Sequence, residues 1–177
     1  MGPVTIHSGH PFLEPPHERR VARRLRARLV APVTVWAARG PAARRAGLTV
    51  SSVLVADGEP ARLLGLLDDE SDLWPLLRAE GRTAVSLLAP DDSAVADVFA
   101  GLAPSPGGAF RTGQWVDTDW GPVLQDRSWV GALLVGEPSR VGWSLLVELE
   151  VAHVGLVDEA GALAYLRGRY VPVATHQ

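Results

Sequence analysis

Short runs of β-branched and apolar residues recur along this chain, bounded by turn residues and mostly close together in sequence. Val33-Thr34-Val35-Trp36, Gly47 to Val55, Arg62 to Leu67, Thr83 to Leu88, Trp129 to Val135, Ser144 to Val157 and Leu163-Ala164-Tyr165-Leu166 are seven such runs. Gly40-Pro41 and Asp57-Gly58-Glu59-Pro60 punctuate them as turns. Antiparallel pairing dominates such a pattern, and closing the sheet removes its exposed edges. The expectation is a mainly β protein, a Greek-key β-barrel with a few short helices.

Three helices complete the reading. His17 to Val30 places Val21, Leu25 and Leu29 at four-residue steps, and Pro32 stops it. Ser71 to Glu80 has Ser71 as its N-cap and Leu73, Leu76 and Leu77 as an apolar stripe. Asp91 to Ala100 carries acids in its first turn, where the helix dipole favours them. Residues 1–16, with Pro3, Gly9, Pro11, Pro15 and Pro16, read as an extended arm, and residues 17–177 as one domain. A chain of 177 residues buries about 70% of its surface, enough for a core without staples. Residues 102–128 form a long Pro/Gly-rich connection holding Phe110, Trp115 and Trp120, the kind of loop that serves as a lid or a binding segment.

Composition removes several chemistries. There is no cysteine, so disulfides, thiol catalysis and thiolate metal sites are out, and a cytoplasmic location fits. There is no lysine, so a Schiff base and a P-loop lysine are out. No apolar run approaches the ~18 residues of a membrane span, and the N-terminus has no secretory pattern. All seventeen basic residues are arginine, nine of them in residues 1–50 against Glu14 and Glu18. The arginines of the first helix spread over several faces and no nucleic-acid-reading motif accompanies them, so a solvated, partly salt-bridged surface is expected and no nucleic-acid partner. His7, His10 and His17 cluster in or beside the arm without a rigid frame, and His153 reads as a packed or surface residue, so no metal site is expected. No Gly-x-Gly-x-x-Gly after a strand, Walker sequence or Gly-x-Ser-x-Gly is present.

The informative element is Gly47-Leu48-Thr49-Val50-Ser51-Ser52. Small hydroxyl residues after a glycine let a flat ligand approach the backbone and donate hydrogen bonds to it. Spacing alone fits equally a strand whose hydroxyls face water.

Five stretches in order resemble the flavin reductase-like family of FMN-binding split β-barrels. They are Leu25 to Trp36 with Pro32-Val33-Thr34-Val35; Ala46 to Ser52; Leu67-Asp68-Asp69-Glu70-Ser71-Asp72-Leu73-Trp74-Pro75; Gly81 to Leu88 with Ala89-Pro90 and Val95 to Gly101; and Leu163-Ala164-Tyr165 with Gly168-Arg169-Tyr170. The resemblance spans about Arg20 to Tyr170. It implies a homodimer with FMN, or FAD, near the subunit interface, NAD(P)H as cosubstrate, and a free-flavin acceptor or monooxygenase partner. By position, Thr49, Val50 and Ser51 would edge the isoalloxazine, and Ser52 would lie near the ribityl chain or phosphate. Asp68 would meet the polar edge of the ring, and Ser71 would help hold phosphate. Thr83, Ala84, Val85 and Ser86 would flank the ring, and Tyr170 with Trp115 would cover the pocket. No catalytic acid or base is assigned.

Two departures stand out. The family's Gly-Asp-His aligns with Val141-Gly142-Trp143, so Trp143 replaces a histidine on the substrate side. An indole stacks and donates but does not exchange protons near neutral pH. Asp69, Glu70 and Asp72 crowd the phosphate loop, with Arg82, Arg44 or Arg45 as compensating cations. The alternatives are a non-catalytic barrel binding flavin, deazaflavin or haem, and a structural dimer with an empty pocket.

Overall fold

One chain segment, Arg45 to Ala56, closes the main sheet by changing neighbours half-way along. The computed structural model describes residues 16–158 and 161–174. In chain order the elements are α1 (Pro16–Arg26), β1 (Ala31–Pro32), β2 (Thr34–Arg39), β3 (Arg45–Val50), β4 (Val53–Ala56), β5 (Arg62–Leu67), α2 (Leu73–Glu80), β6 (Arg82–Leu87), α3 (Ser93–Phe99), β7 (Trp115–Thr118), β8 (Gly121–Leu124), β9 (Trp129–Leu134), β10 (Ser139–Val141), β11 (Ser144–Gly155), β12 (Gly161–Leu166) and β13 (Arg169–Ala174). The main sheet runs β3-β2-β6-β9-β11-β5-β4, antiparallel throughout, with β10 added on β11. Its two ends, β3 and β4, are joined only by Ser51 and Ser52. Val50 pairs with Thr34 of β2, whereas Val53 pairs with Gly65 of β5. The sheet therefore curls back on itself, and the expected barrel is present.

Alternating side chains fill it. Trp36, Val50, Leu63, Leu67, Val85, Val147 and Leu149 form one buried cluster, sealed by Leu73, Leu76 and Leu77 of α2. Each such side chain contributes roughly 1.5–3 kcal/mol of burial. Gly65 makes room for the Trp36 indole: a Cβ there would lie 2.6 Å from two ring carbons. A second cluster lies outside the barrel, where Val33, just before β2, and Val35 of β2's other face meet Val95, Ala96 and Phe99 of α3 and Leu163 of β12. Both faces of β2 are thus buried, which explains its unbroken apolar run.

The structure also departs from the pattern reading. The expected strand from Gly47 to Val55 begins at Arg45 and breaks at Ser51-Ser52. The helix expected to reach Val30 ends at Arg26, where three-residue bonds (Arg28 N–H to Leu25 O, Leu29 N–H to Arg26 O) tighten the chain ahead of Pro32. The 102–128 connection holds the β7–β8 hairpin, packed on β2 and β6. β1, β10 and β13 are further strands beyond the seven expected. The arm, apart from Pro16, lies outside the described residues, with His7 and His10. Among the described residues no helix is long and apolar enough to cross a membrane, and no group of three or more His, Cys, Asp or Glu could hold a metal ion.

Candidate functional site

The two serines at the strand break are held from three sides. Thr34 Oγ1 donates to Val50 O at 2.7 Å, Thr49 Oγ1 donates to Ala96 O of α3 at 2.7 Å, and Leu66 N–H donates to Ser52 O at 3.1 Å. Ser51 and Ser52 themselves remain half-buried. Ser51 Oγ accepts a bond of 3.1 Å from Arg26 Nη2 at the end of α1. The backbone N–H groups of Ser51 and Ser52 have no protein partner among the described residues. Paired amides at a bend, two hydroxyls and a guanidinium suit a polar, anionic ligand.

The neighbouring loop belongs to the same end of the barrel, because β5 runs from Ser52's partner Leu66 directly into Asp68. Asp68 Oδ1 accepts from Glu70 N–H at 3.0 Å, and Ser71 Oγ donates to Asp68 O at 2.6 Å. The Ser71 hydroxyl therefore folds the loop and does not cap α2, whose capping position is Asp72, without a side-chain bond. Arg140 of β10 forms an ion pair with Asp69, fastening the β10–β11 hairpin over this loop. Trp143 stands at that hairpin's tip, 46% exposed, one residue after Gly142 in the left-handed region (φ +57°). The carboxylates that crowd the loop are thus partly balanced by Arg140, a cation absent from the sequence reading.

Tyr170 approaches from β13. Its ring meets Tyr165 edge-on at 5.4 Å, and its hydroxyl donates to Asp97 of α3. Burial, then the Asp97 charge, pushes its pKa up to about 12, so it is a neutral hydrogen-bond donor at physiological pH. Arg167 N–H of the β12–β13 turn donates to Ala27 O at 2.6 Å, tying this hairpin to the end of α1 and so to Arg26.

Other expected contacts lie elsewhere. Thr83, Ala84, Val85 and Ser86 are fully or almost fully buried. Thr83 Oγ1 donates to Ala37 O at 2.8 Å, Ser86 Oγ accepts from Leu124 N–H at 3.0 Å, and Val85 fills the barrel, so these side chains hold strands together. Val50 likewise points into the core. Trp115 packs between Phe99 and Phe110, with ring centroids 5.1 Å from each, and donates to Thr112 O, which anchors the long connection. Gly47 admits Phe99 where a ligand was expected: a Cβ there would lie 2.6 Å from that ring. Arg44 and Arg45 precede or begin β3, about 20 Å from the serines at strand spacing, and Arg45 is paired with Asp117 at 2.5 Å. Arg82 lines a cavity of about 210 Å³ with Arg39 and Glu80. A larger cavity of about 490 Å³ lies among Arg39, Asp119, Trp120, Trp129 and His153 on the outer face of β9 and β11, and contains none of the expected site residues. His153 stacks on Trp129 at 4.5 Å, as a packed surface histidine does.

The flavin reductase-like domain model matches residues 26–174. The chain belongs to the flavin reductase-like domain family. It is 31% identical over 168 residues to the FMN reductase (NADH) RutF of Variovorax paradoxus, covering 94% of this chain and 91% of that protein. It is 28% identical over 160 residues to the 4-hydroxyphenylacetate 3-monooxygenase reductase component of Pseudomonas aeruginosa, covering 86% and 89%. Among solved structures, the domain superposes on the NADH:FAD oxidoreductase SgcE6 of Streptomyces globisporus with a TM-score of 0.79 at 21% identity, covering 92% of this chain and 98% of that one. The split-barrel fold of the domain is therefore that of the family.

Proposed function

We propose that this protein is a flavin reductase. It binds FMN (or FAD) noncovalently, takes reducing equivalents from NADH or NADPH, and supplies reduced flavin to a separate acceptor such as a monooxygenase component. The observation that carries the reading is the Ser51-Ser52 break, where two hydroxyls and two backbone amides lie on a fixed bend beside an arginine. The RutF and monooxygenase-reductase relatives support it over nearly the whole chain.

When bound, FMN would supply the two-electron redox chemistry that links the nicotinamide to the acceptor. The chain's own residues bind and orient. Ser51 and Ser52 donate to the polar parts of the flavin, Thr49 fixes their strand through Ala96, and Asp68 and Ser71 shape the adjoining loop. Trp143 bounds the nicotinamide side by stacking, and Tyr170, its O–H held by Asp97, presents its ring at the opposite flank. Hydride transfer itself requires no side-chain acid or base.

The site stands on an open surface in the single chain, and β4 beside it exposes Leu54 and Val55, at 71% and 70%. A second copy that covers them completes the groove, so the working form is a homodimer, located in the cytoplasm. Adding FMN to purified protein and following its visible bands during anaerobic NADH or NADPH addition tests the function. Bound flavin that bleaches within seconds is the expected result. Protein that refuses FMN overturns it. Flavin that binds but stays oxidised marks instead a non-catalytic binding protein, the reading that Trp143 in place of the family histidine favours.

A further inference from the structure

The sequence offered Arg82, Arg44 or Arg45 as the cation for the flavin phosphate, but Arg44 and Arg45 stand at the far end of β3 from Ser51, and Arg82 lines a separate cavity with Arg39 and Glu80. Several arginines are paired with carboxylates: Arg140 with Asp69, Arg62 with Glu148 and Glu150, and Arg78 with Glu137. Arg26 is different. Its hydrogen-bond partner at the bend is the uncharged hydroxyl of Ser51, 3.1 Å away, and no carboxylate pairs with it among the described residues. Its position is fixed from behind, because the next residue's carbonyl, Ala27 O, accepts from Arg167 N–H. Beside it lie the unpartnered amides of Ser51 and Ser52. A guanidinium fork next to two backbone N–H groups and two hydroxyls is the donor set that a terminal phosphate monoester recruits.

We infer that Arg26 reads the terminal phosphate of FMN and makes this site prefer FMN to riboflavin and to FAD. This deepens the flavin reading and rests on it. The guanidinium exchanges the Ser51 hydroxyl for phosphate oxygens and so meets a dianion with a full positive charge. Riboflavin has no phosphate, and each phosphate of FAD is a singly charged diester that offers less to the fork. Arg26 is a binding and specificity residue, and hydride transfer does not pass through it.

The test is a set of titrations of the full chain with FMN, FAD and riboflavin, read by flavin fluorescence, for wild type, Arg26→Gln and Arg26→Lys. Wild type is expected to bind FMN at least tenfold more tightly than riboflavin. Arg26→Gln should weaken FMN on the order of 10- to 100-fold, the range for a lost charged hydrogen bond, and change riboflavin less than threefold. Arg26→Lys should fall between them, keeping the charge and losing the fork. Unchanged unfolding midpoints without ligand show that the variants fold, as expected for an exposed side chain. Equal losses for FMN and riboflavin, or no loss of FMN, overturn the assignment while leaving the flavin reading intact. Wild type that binds none of the three overturns the flavin reading, and this assignment with it.

Discussion

Trp36 shows how far single residues govern this barrel. It is fully buried, its Nε1 has no hydrogen-bond partner among the described residues, and its ring lies where a Cβ at position 65 would reach. An unpartnered buried donor costs on the order of 1–3 kcal/mol, which the burial of the rest of the indole offsets. Gly65→Ala places a methyl group 2.6 Å from that ring, in a core with no room to shift. The expected loss is about 1–3 kcal/mol, or roughly 5 °C in Tm for a chain of this size. Calorimetry checks it, and the double variant with Trp36→Phe should recover part of the loss; an undiminished Gly65→Ala midpoint would mean that the indole has other space. Sequence made the serines visible, because hydroxyls in an apolar strand are conspicuous. It could not show that Gly47 is filled by Phe99, or that Thr83 and Ser86 serve Ala37 and Leu124, since those partners are 38 to 52 residues away. Arg26 was read as one more charge on a solvated helix; its hydroxyl partner comes from the break between two strands 25 residues on.

At the scale of elements, what could be read was what repeats. The barrel strands announced themselves through β-branched runs, and α2 and α3 through their stripes. β8 and β13 did not, because Pro122 and Pro172 break the pattern. Each proline is tolerated because its strand has one partner only: β8 pairs with β7, and β13 lies at the edge of β1-β12-β13. The link between β13 and α3 carries a pH signature. Tyr170 has a pKa of about 12 against an ordinary 10.0, raised by burial and by Asp97. The folded state thus favours the neutral phenol. That contribution is fully present below about pH 10 and is lost as pH rises through 12. Thermal midpoints measured from pH 9 to 12 should fall more steeply for wild type than for Tyr170→Phe. Parallel curves would show that the phenol does not couple to folding.

For the molecule as a whole, the apolar surface left outside is informative. Val21, Leu25 and Leu29 of α1 and its following turn point away from the chain's own core, and so do Leu54 and Val55 of β4. The basic first fifty residues and the acidic remainder would supply opposite charges to the proposed dimer. A Leu54→Asp/Val55→Asp variant should sediment as a monomer where wild type sediments as a dimer, and should bind FMN at least tenfold more weakly. A wild-type monomer at micromolar concentration would remove the basis for shared sites. The strand that changes neighbours at Ser51-Ser52 ties these matters together. The same two residues join the two ends of the curled sheet and, on the proposed function, offer its ligand-facing donors. Selection for tighter binding at this spot therefore acts on the hoop that keeps the molecule closed, and variants here should be followed by denaturation as well as by titration.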